Sequence, residues 1–85
     1  MNTFHLIVSS PDGNLFEGDV LRLSVRGTEG ELAIMAGHIP FVTTVVPCEV
    51  KIILEDETEK VGKADGGILT VGSDMVTLLS GSFTF

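Results

Sequence analysis

The sequence predicts an all-β fold of the sandwich or small-barrel class, on three observations. Apolar residues alternate with polar ones in short runs, as in Leu21-Arg22-Leu23-Ser24-Val25, and a period of two turns one set of side chains toward a core. Gly, Pro, Asp or Ser punctuates every run, which implies roughly eight to ten short, closely spaced strands. No window of about eleven residues has apolar positions recurring at three and four, so no helix longer than a turn is expected. The 85 residues make one domain, 1–85.

Taken in order, Phe4, Leu6 and Val8 alternate with His5, Ile7 and Ser9 as a first strand with at least one buried face. Ser10-Pro11-Asp12-Gly13-Asn14 closes it with a preset φ, a side chain that bonds its own backbone and a residue tolerant of φ > 0. Leu15 and Phe16 read as a short second strand, with Gly18 as a bulge or corner. From Val20, Leu21, Leu23 and Val25 face one way and Arg22, Ser24 and Arg26 the other, two arginines that suit a solvated face.

Gly27 to Phe41 differs from the plain strands around it. It holds Gly27, Gly30, Gly37, the carboxylates Glu29 and Glu31, His38 and Pro40, so the chain must turn sharply at least twice. Leu32 to Met35 is an apolar run short enough for one buried strand. Phe41 to Val46 and Glu49 to Leu54 are two further runs, and Pro47-Cys48 between them should interrupt pairing unless it is a turn. Glu55 to Glu59 reads as a solvated hairpin tip, since a metal site needs convergent ligands. Asp65-Gly66-Gly67 precedes a strand from Ile68 to Val71, Gly72-Ser73-Asp74 turns into Met75 to Leu79, and Phe83 and Phe85 flank Thr84 in a last edge strand.

Composition narrows the chemistry. A chain this small buries only about 60% of its unfolded surface, so its core is thin and a partner can add stability. The formal charge of −7 disfavours nucleic acid and anionic lipid surfaces and favours a basic protein partner. No Trp or Tyr is present to stack a cofactor or a sugar. The single Cys48 excludes an internal disulfide and reads as a small strand residue. No apolar run approaches the ~20 residues of a bilayer-spanning helix.

Catalysis has little to work with: there is no phosphate loop, no nucleophile elbow and no His-x-x-x-His pair. His38 and Glu31 could form a base with an orienting carboxylate, but nothing supplies a nucleophile or an oxyanion hole. His5 lies in an alternating strand and reads as structural. No catalytic residue, cofactor or metal site is expected; a small metal enzyme would need His5, His38 and acids to converge. What remains is binding. The Glu29-Gly30-Glu31 turn offers two carboxylates on a glycine hinge, and arginine is the donor best shaped to meet them.

Gly27-Thr28-Glu29-Gly30-Glu31-Leu32, Ile34 and Gly37-His38-Ile39-Pro40, with Ser10-Pro11-Asp12-Gly13, Phe16-Glu17-Gly18, Gly66-Gly67-Ile68-Leu69 and Val76-Thr77-Leu78-Leu79 in order around them, closely resemble the epsilon subunit of the F-type ATP synthase. The resemblance implies a flattened β-sandwich of two five-stranded sheets. It further implies a non-catalytic rotor subunit that docks the gamma subunit onto the membrane c ring and couples proton or sodium ion transport to ATP synthesis. Carried over residue by residue, the c-ring and gamma contacts are Thr28, Glu29, Gly30, Glu31, Leu32 and His38. One sheet face is expected on gamma, without an indication of which.

Such a subunit would sit peripherally at the cytoplasmic face of a bacterial inner membrane or its organellar equivalent. Ala33 stands where the family usually has glycine, Cys48-Glu49 replaces a Gly-containing turn, and Asp65 precedes Gly-Gly in place of a small residue. The family commonly continues into two C-terminal helices that brake hydrolysis or hold ATP; with the sequence ending at Phe85, neither a helical brake nor a nucleotide site is expected here. The alternative is an unrelated β-sandwich module recognising a peptide or a carbohydrate.

Overall fold

The computed structural model describes residues 2–85, which form seven strands and, among the described residues, no helix. They are β1 (Phe4–Ser10), β2 (Gly13–Gly27), β3 (Gly30–Ile34), β4 (Phe41–Leu54), β5 (Glu59–Val71), β6 (Met75–Leu79) and β7 (Phe83–Thr84). Hydrogen bonding runs β1-β6-β5-β4-β2-β3, and β1 also pairs with β2, so five strands close into a ring. The β1–β6 ladder is parallel, from His5↔Met75 to Ser9↔Leu79, and the other ladders are antiparallel.

The all-β expectation holds, but the strands are fewer and longer than the punctuation suggested: β2, β4 and β5 have 15, 14 and 13 residues. Each serves both layers. The early part of β2 pairs with β1 and its later part with β4 and β3; the later part of β5 pairs with β6 and its early part with β7. One layer therefore runs β4-β5-β6-β1-β2 and the other β3-β2-β4-β5-β7, two layers of five strands from seven chain segments.

The corners explain how a strand crosses. Leu54 faces Val20 but Ile53 faces Arg22, so Leu21 is the extra residue that bends β2 where it leaves β1 for β4. A second irregularity lies between Val8↔Phe16 and Ser9↔Asn14, which makes Leu15 the bulge and leaves Gly18 paired in register with Leu6. The expected break at Gly18 is thus displaced to both sides of it. Pro47 also does not end its strand: β4 pairs with β5 through Pro47↔Asp65 and Cys48↔Ala64. The break falls instead on the β2 side, where pairing jumps from Ser24↔Lys51 to Gly27↔Val45. There the Arg26 N–H donates to Cys48 Sγ at 3.4 Å in place of a carbonyl.

The core lies inside the ring, with Leu6, Val8, Leu23, Val50, Ile52, Leu69 and Leu78 fully covered. Leu32 to Met35 is less buried than its apolar run implied: Leu32 is half-buried, Ile34 covered, and Met35 55% exposed beyond the end of β3. Ser80 is buried, and its hydroxyl proton is shared between Gly66 O at 2.6 Å and Ser82 O at 2.9 Å. With Asp65 N–H to Ser82 O and Ser80 N–H to Ser9 O, that hydroxyl ties the β5 corner to the β6–β7 turn.

At this corner a Cβ on Gly67 would collide with Leu79 O and stand 3.0 Å from Ser80 Cα, both backbone atoms that cannot swing aside. Gly67→Ala is expected to lower the unfolding free energy by about 1–3 kcal/mol or more, as overpacking does. Gly81→Ala, where a Cβ meets nothing within 4 Å, should change it by less than ~0.5 kcal/mol. Urea unfolding of the two variants beside the parent decides this.

Candidate docking surfaces

The hairpin between β2 and β3 pairs Gly27 with Gly30 and turns through Thr28 and Glu29. Gly30 has φ +127°, a conformation side chains rarely adopt, and its place in the hairpin rests on that freedom. Thr28, Glu29, Gly30 and Glu31 are exposed, while Leu32 turns its half-buried side chain against the core. Among the described residues neither Glu29 nor Glu31 enters an ion pair, although Arg26 faces Glu31 across the ladder. Both carboxylates keep their acceptors available to an approaching donor.

His38 sits in the segment that leads into β4, exposed, with Nδ1 3.0 Å from Ile39 O and its ring 5.1 Å from that of Phe41. No hydrogen bond joins it to Glu31 or to the hairpin tip among the described residues, so the pairing of base and carboxylate considered for His38 and Glu31 is not formed. His5 and His38 likewise do not converge, and among the described residues no three His, Cys, Asp or Glu side chains gather around a point. The Glu55 to Glu59 tip is a hairpin turn: Asp56 accepts from Thr58 Oγ1 at 2.6 Å and from Thr58 N–H at 3.1 Å. Those bonds, the hydroxyl's first, hold the Asp56 carboxyl below its ordinary pKa.

The outer faces of the two layers differ in kind. On the first layer Val42, Ile68, Met75 and Leu79 are 67%, 50%, 46% and 51% exposed. Registers Val42↔Thr70, Thr44↔Ile68, Ile68↔Leu79 and Ile7↔Thr77 place them with threonines on one continuous face that carries no charge from β4 to β6. On the second layer Arg22, Arg26, Glu31, Glu49, Lys51 and Lys63 bring charges of both signs together, with Arg26 opposite Glu31 and Glu49 opposite Lys63. The shallow groove there, about 500 Å³, opens where β4 separates from β2 and is lined by Arg22, Arg26, Glu31, Cys48, Glu49 and Lys51 among others.

Sequence reasoning missed the apolar face. The available signal was the apolar neighbours Ile68-Leu69 and Leu78-Leu79, which put apolar side chains on both sides of their strands, as in strands covered on both faces. It also missed a charged clip at the edge of that face. His5 Nε2 lies 2.9 Å from Glu17 Oε2 and Nδ1 3.1 Å from Asp19 Oδ1, because register sets His5 opposite Asp19 and Ile7 opposite Glu17. The residues are far apart in sequence, so only strand pairing reveals them. The bond to Glu17 first, then that to Asp19, raises the His5 pKa above its ordinary value.

Comparison with known proteins agrees with this architecture. The family model described as ATP synthase, delta/epsilon chain, β-sandwich domain matches residues 3–85. Among solved structures, a chain of the Euglena gracilis mitochondrial ATP synthase (OSCP/F1/c-ring, rotational state 1) superposes with TM-score 0.91 at 20% identity, over 96% of this chain and 52% of that one. A chain of the Tetrahymena thermophila mitochondrial ATP synthase central stalk/c-ring superposes with TM-score 0.84 at 13% identity, over 98% of this chain and 66% of that one. This chain therefore spans about half to two thirds of those chains.

The clip has a definite pH signature. Because the folded pKa of His5 is raised, the stabilisation it supplies is fully present below the unfolded value of about 6.5 and is lost as pH rises through the higher folded value. Parallel urea unfolding of the parent and His5→Gln from about pH 5.5 to about pH 8.5, a range that brackets the imidazole titration, should show the parent's advantage shrinking with pH. A gap that stays constant would contradict the clip.

Proposed function

Because the chain belongs to the delta/epsilon-chain β-sandwich family of the ATP synthase, we propose that it is a non-catalytic rotor subunit of the central stalk. In this reading it docks the gamma subunit onto the membrane c ring, at the membrane surface that carries the catalytic head, and so couples proton or sodium ion transport to ATP synthesis. The observation that carries the reading is the difference between the two outer faces on one framework with an acid-tipped hairpin. A face with four exposed aliphatic or Met side chains and no charge from β4 to β6 suits burial against a protein. The opposite face, with charges of both signs, suits water. Gamma is therefore assigned to the apolar face of the first layer, and His38, exposed in the segment that leads into β4, is kept as a further contact from the family resemblance.

The hairpin tip suits the c ring. Thr28, Glu29, Gly30 and Glu31 stand clear of the chain's own strands, and Leu32 fastens the turn to the core. Carboxylates held on a paired hairpin lose little freedom when they meet guanidinium groups, and such rim contacts set register and docking rate more than affinity. A rotor element must also transmit torque without yielding. Three strands that run unbroken from one layer into the other carry load through covalent backbone, while the interior packs as densely as an organic crystal.

Two measurements test the reading. Glu31→Lys is expected to weaken recovery of the c ring in a pull-down of the assembled enzyme while leaving the fold intact, since the residue is exposed; unchanged recovery would count against the tip. Ile68→Glu on the apolar face should weaken gamma binding about tenfold or more, the scale of a buried contact residue. Val61→Glu on the charged face should leave gamma binding within about twofold. Equal loss from both substitutions would remove the face assignment.

A further inference from the structure

His5 stands where the apolar face ends. Its register partner across the parallel ladder is Met75, 46% exposed on that face, and its neighbour Ile7 pairs with Thr77 on one side and Glu17 on the other. The early part of β2, which carries Glu17 and Asp19, is the edge of the layer. Both ring nitrogens of His5 meet carboxylate oxygens, at 2.9 Å and 3.1 Å. A neutral imidazole has one N–H and one lone pair, so only the doubly protonated ring donates to both carboxylates at once. The geometry assigns an imidazolium that occupies two carboxylates at the rim of the face.

Resting on the reading above, we propose that this clip is a proton-controlled competitor at the gamma interface: Glu17 and Asp19 receive a cationic side chain of gamma, Arg or Lys, and protonated His5 holds them back from it. The choice of a cationic occupant follows from charge. The chain carries −7 overall, and the two carboxylates are about half exposed, with side chains 52% and 55% accessible. Among the described residues they are the charged groups that adjoin the apolar face on the β2 side. From β6, the other strand beside β1, Met75 lies opposite His5 and Thr77 opposite Ile7, and neither carries a charge; Asp74, in the turn before Met75, adds a further negative charge without bonding to His5.

The direction follows. When His5 loses its proton, one ring nitrogen turns a lone pair toward a carboxylate oxygen, and that carboxylate moves off and becomes free to accept from a partner. The rim gains one unit of negative charge. Docking of a cation therefore strengthens as pH rises through the His5 titration, and His5 exacts its competition only while protonated. An exposed pair of this kind is weak and screened by salt, which makes it a modulator of docking and not its source. The apolar contact supplies the affinity in either state.

The test is the affinity of the 85-residue chain for the gamma subunit at low salt, from about pH 5.5 to about pH 8.5. The parent should bind roughly twofold to fivefold more tightly at the upper end, the size of an exposed charge pair. His5→Gln, neutral throughout, should lose the slope and hold the tight end at every pH. Glu17→Gln with Asp19→Asn should lose the slope and hold the weak end. A flat parent profile, an affinity that falls with pH, or a slope that survives in His5→Gln each overturns the competitor. Absence of gamma binding at any pH instead overturns the rotor reading on which it rests.

Discussion

Closure of the ring through the parallel β1–β6 ladder is the constraint on which the other features of this domain depend. Without it, β1 would pair with β2 alone and β6 with β5 alone, leaving two sheet edges open and the core exposed between them. With it, three long strands must belong to both layers, and each must change direction without losing its hydrogen bonds. The chain answers differently at each corner. β2 inserts Leu21, β5 uses Gly66 and Gly67 with the Ser80 hydroxyl bonded to the corner's carbonyl, and β4 keeps its β5 ladder while releasing β2 around Pro47.

That arrangement also produces the asymmetry from which function is read. A strand that runs through both layers exposes one stretch on the first face and another on the second, so β4 shows Val42 and Thr44 to one side of the molecule and Glu49 and Lys51 to the other. β5 does the same with Ile68 and Thr70 against Lys63 and Asp65. The apolar and charged faces are two ends of the same strands, each with its own chemistry. The hairpin tip projects from the end of β2 and β3 at the border of the charged face, which it joins through Glu31 opposite Arg26.

Much of this was legible in the residues. Alternation and short apolar runs located most strand regions, though not Glu59 to Asp65, the first half of β5, where polar residues and Gly62 interrupt the apolar pattern; the Ser10 to Asn14 turn formed between β1 and β2, and the Thr28-Glu29 turn with Gly30 after it formed where glycine and carboxylate spacing placed a turn. The misreadings share one cause. Local preference makes Gly18 a bulge or corner and Pro47 an interruption, yet Gly18 pairs in register with Leu6 and Pro47 with Asp65, since tertiary pairing supplies partners that local preference cannot count. Conversely Leu21, an ordinary strand residue by type, is a bulge because two partners of different register meet beside it.

The β class, the turn chemistry and the acid-glycine turn could be read from the residues, because they depend on side-chain period and on backbone preferences expressed within a few residues; the family followed from the order of motifs along the chain, a resemblance that the family match over residues 3–85 bears out. Tertiary structure alone decided which strands are shared between layers, which face is apolar and that His5 sits between Glu17 and Asp19. Those facts depend on register between segments a dozen or more residues apart, and register is a property of pairing: a slip of one residue would send every one of these side chains to the other face.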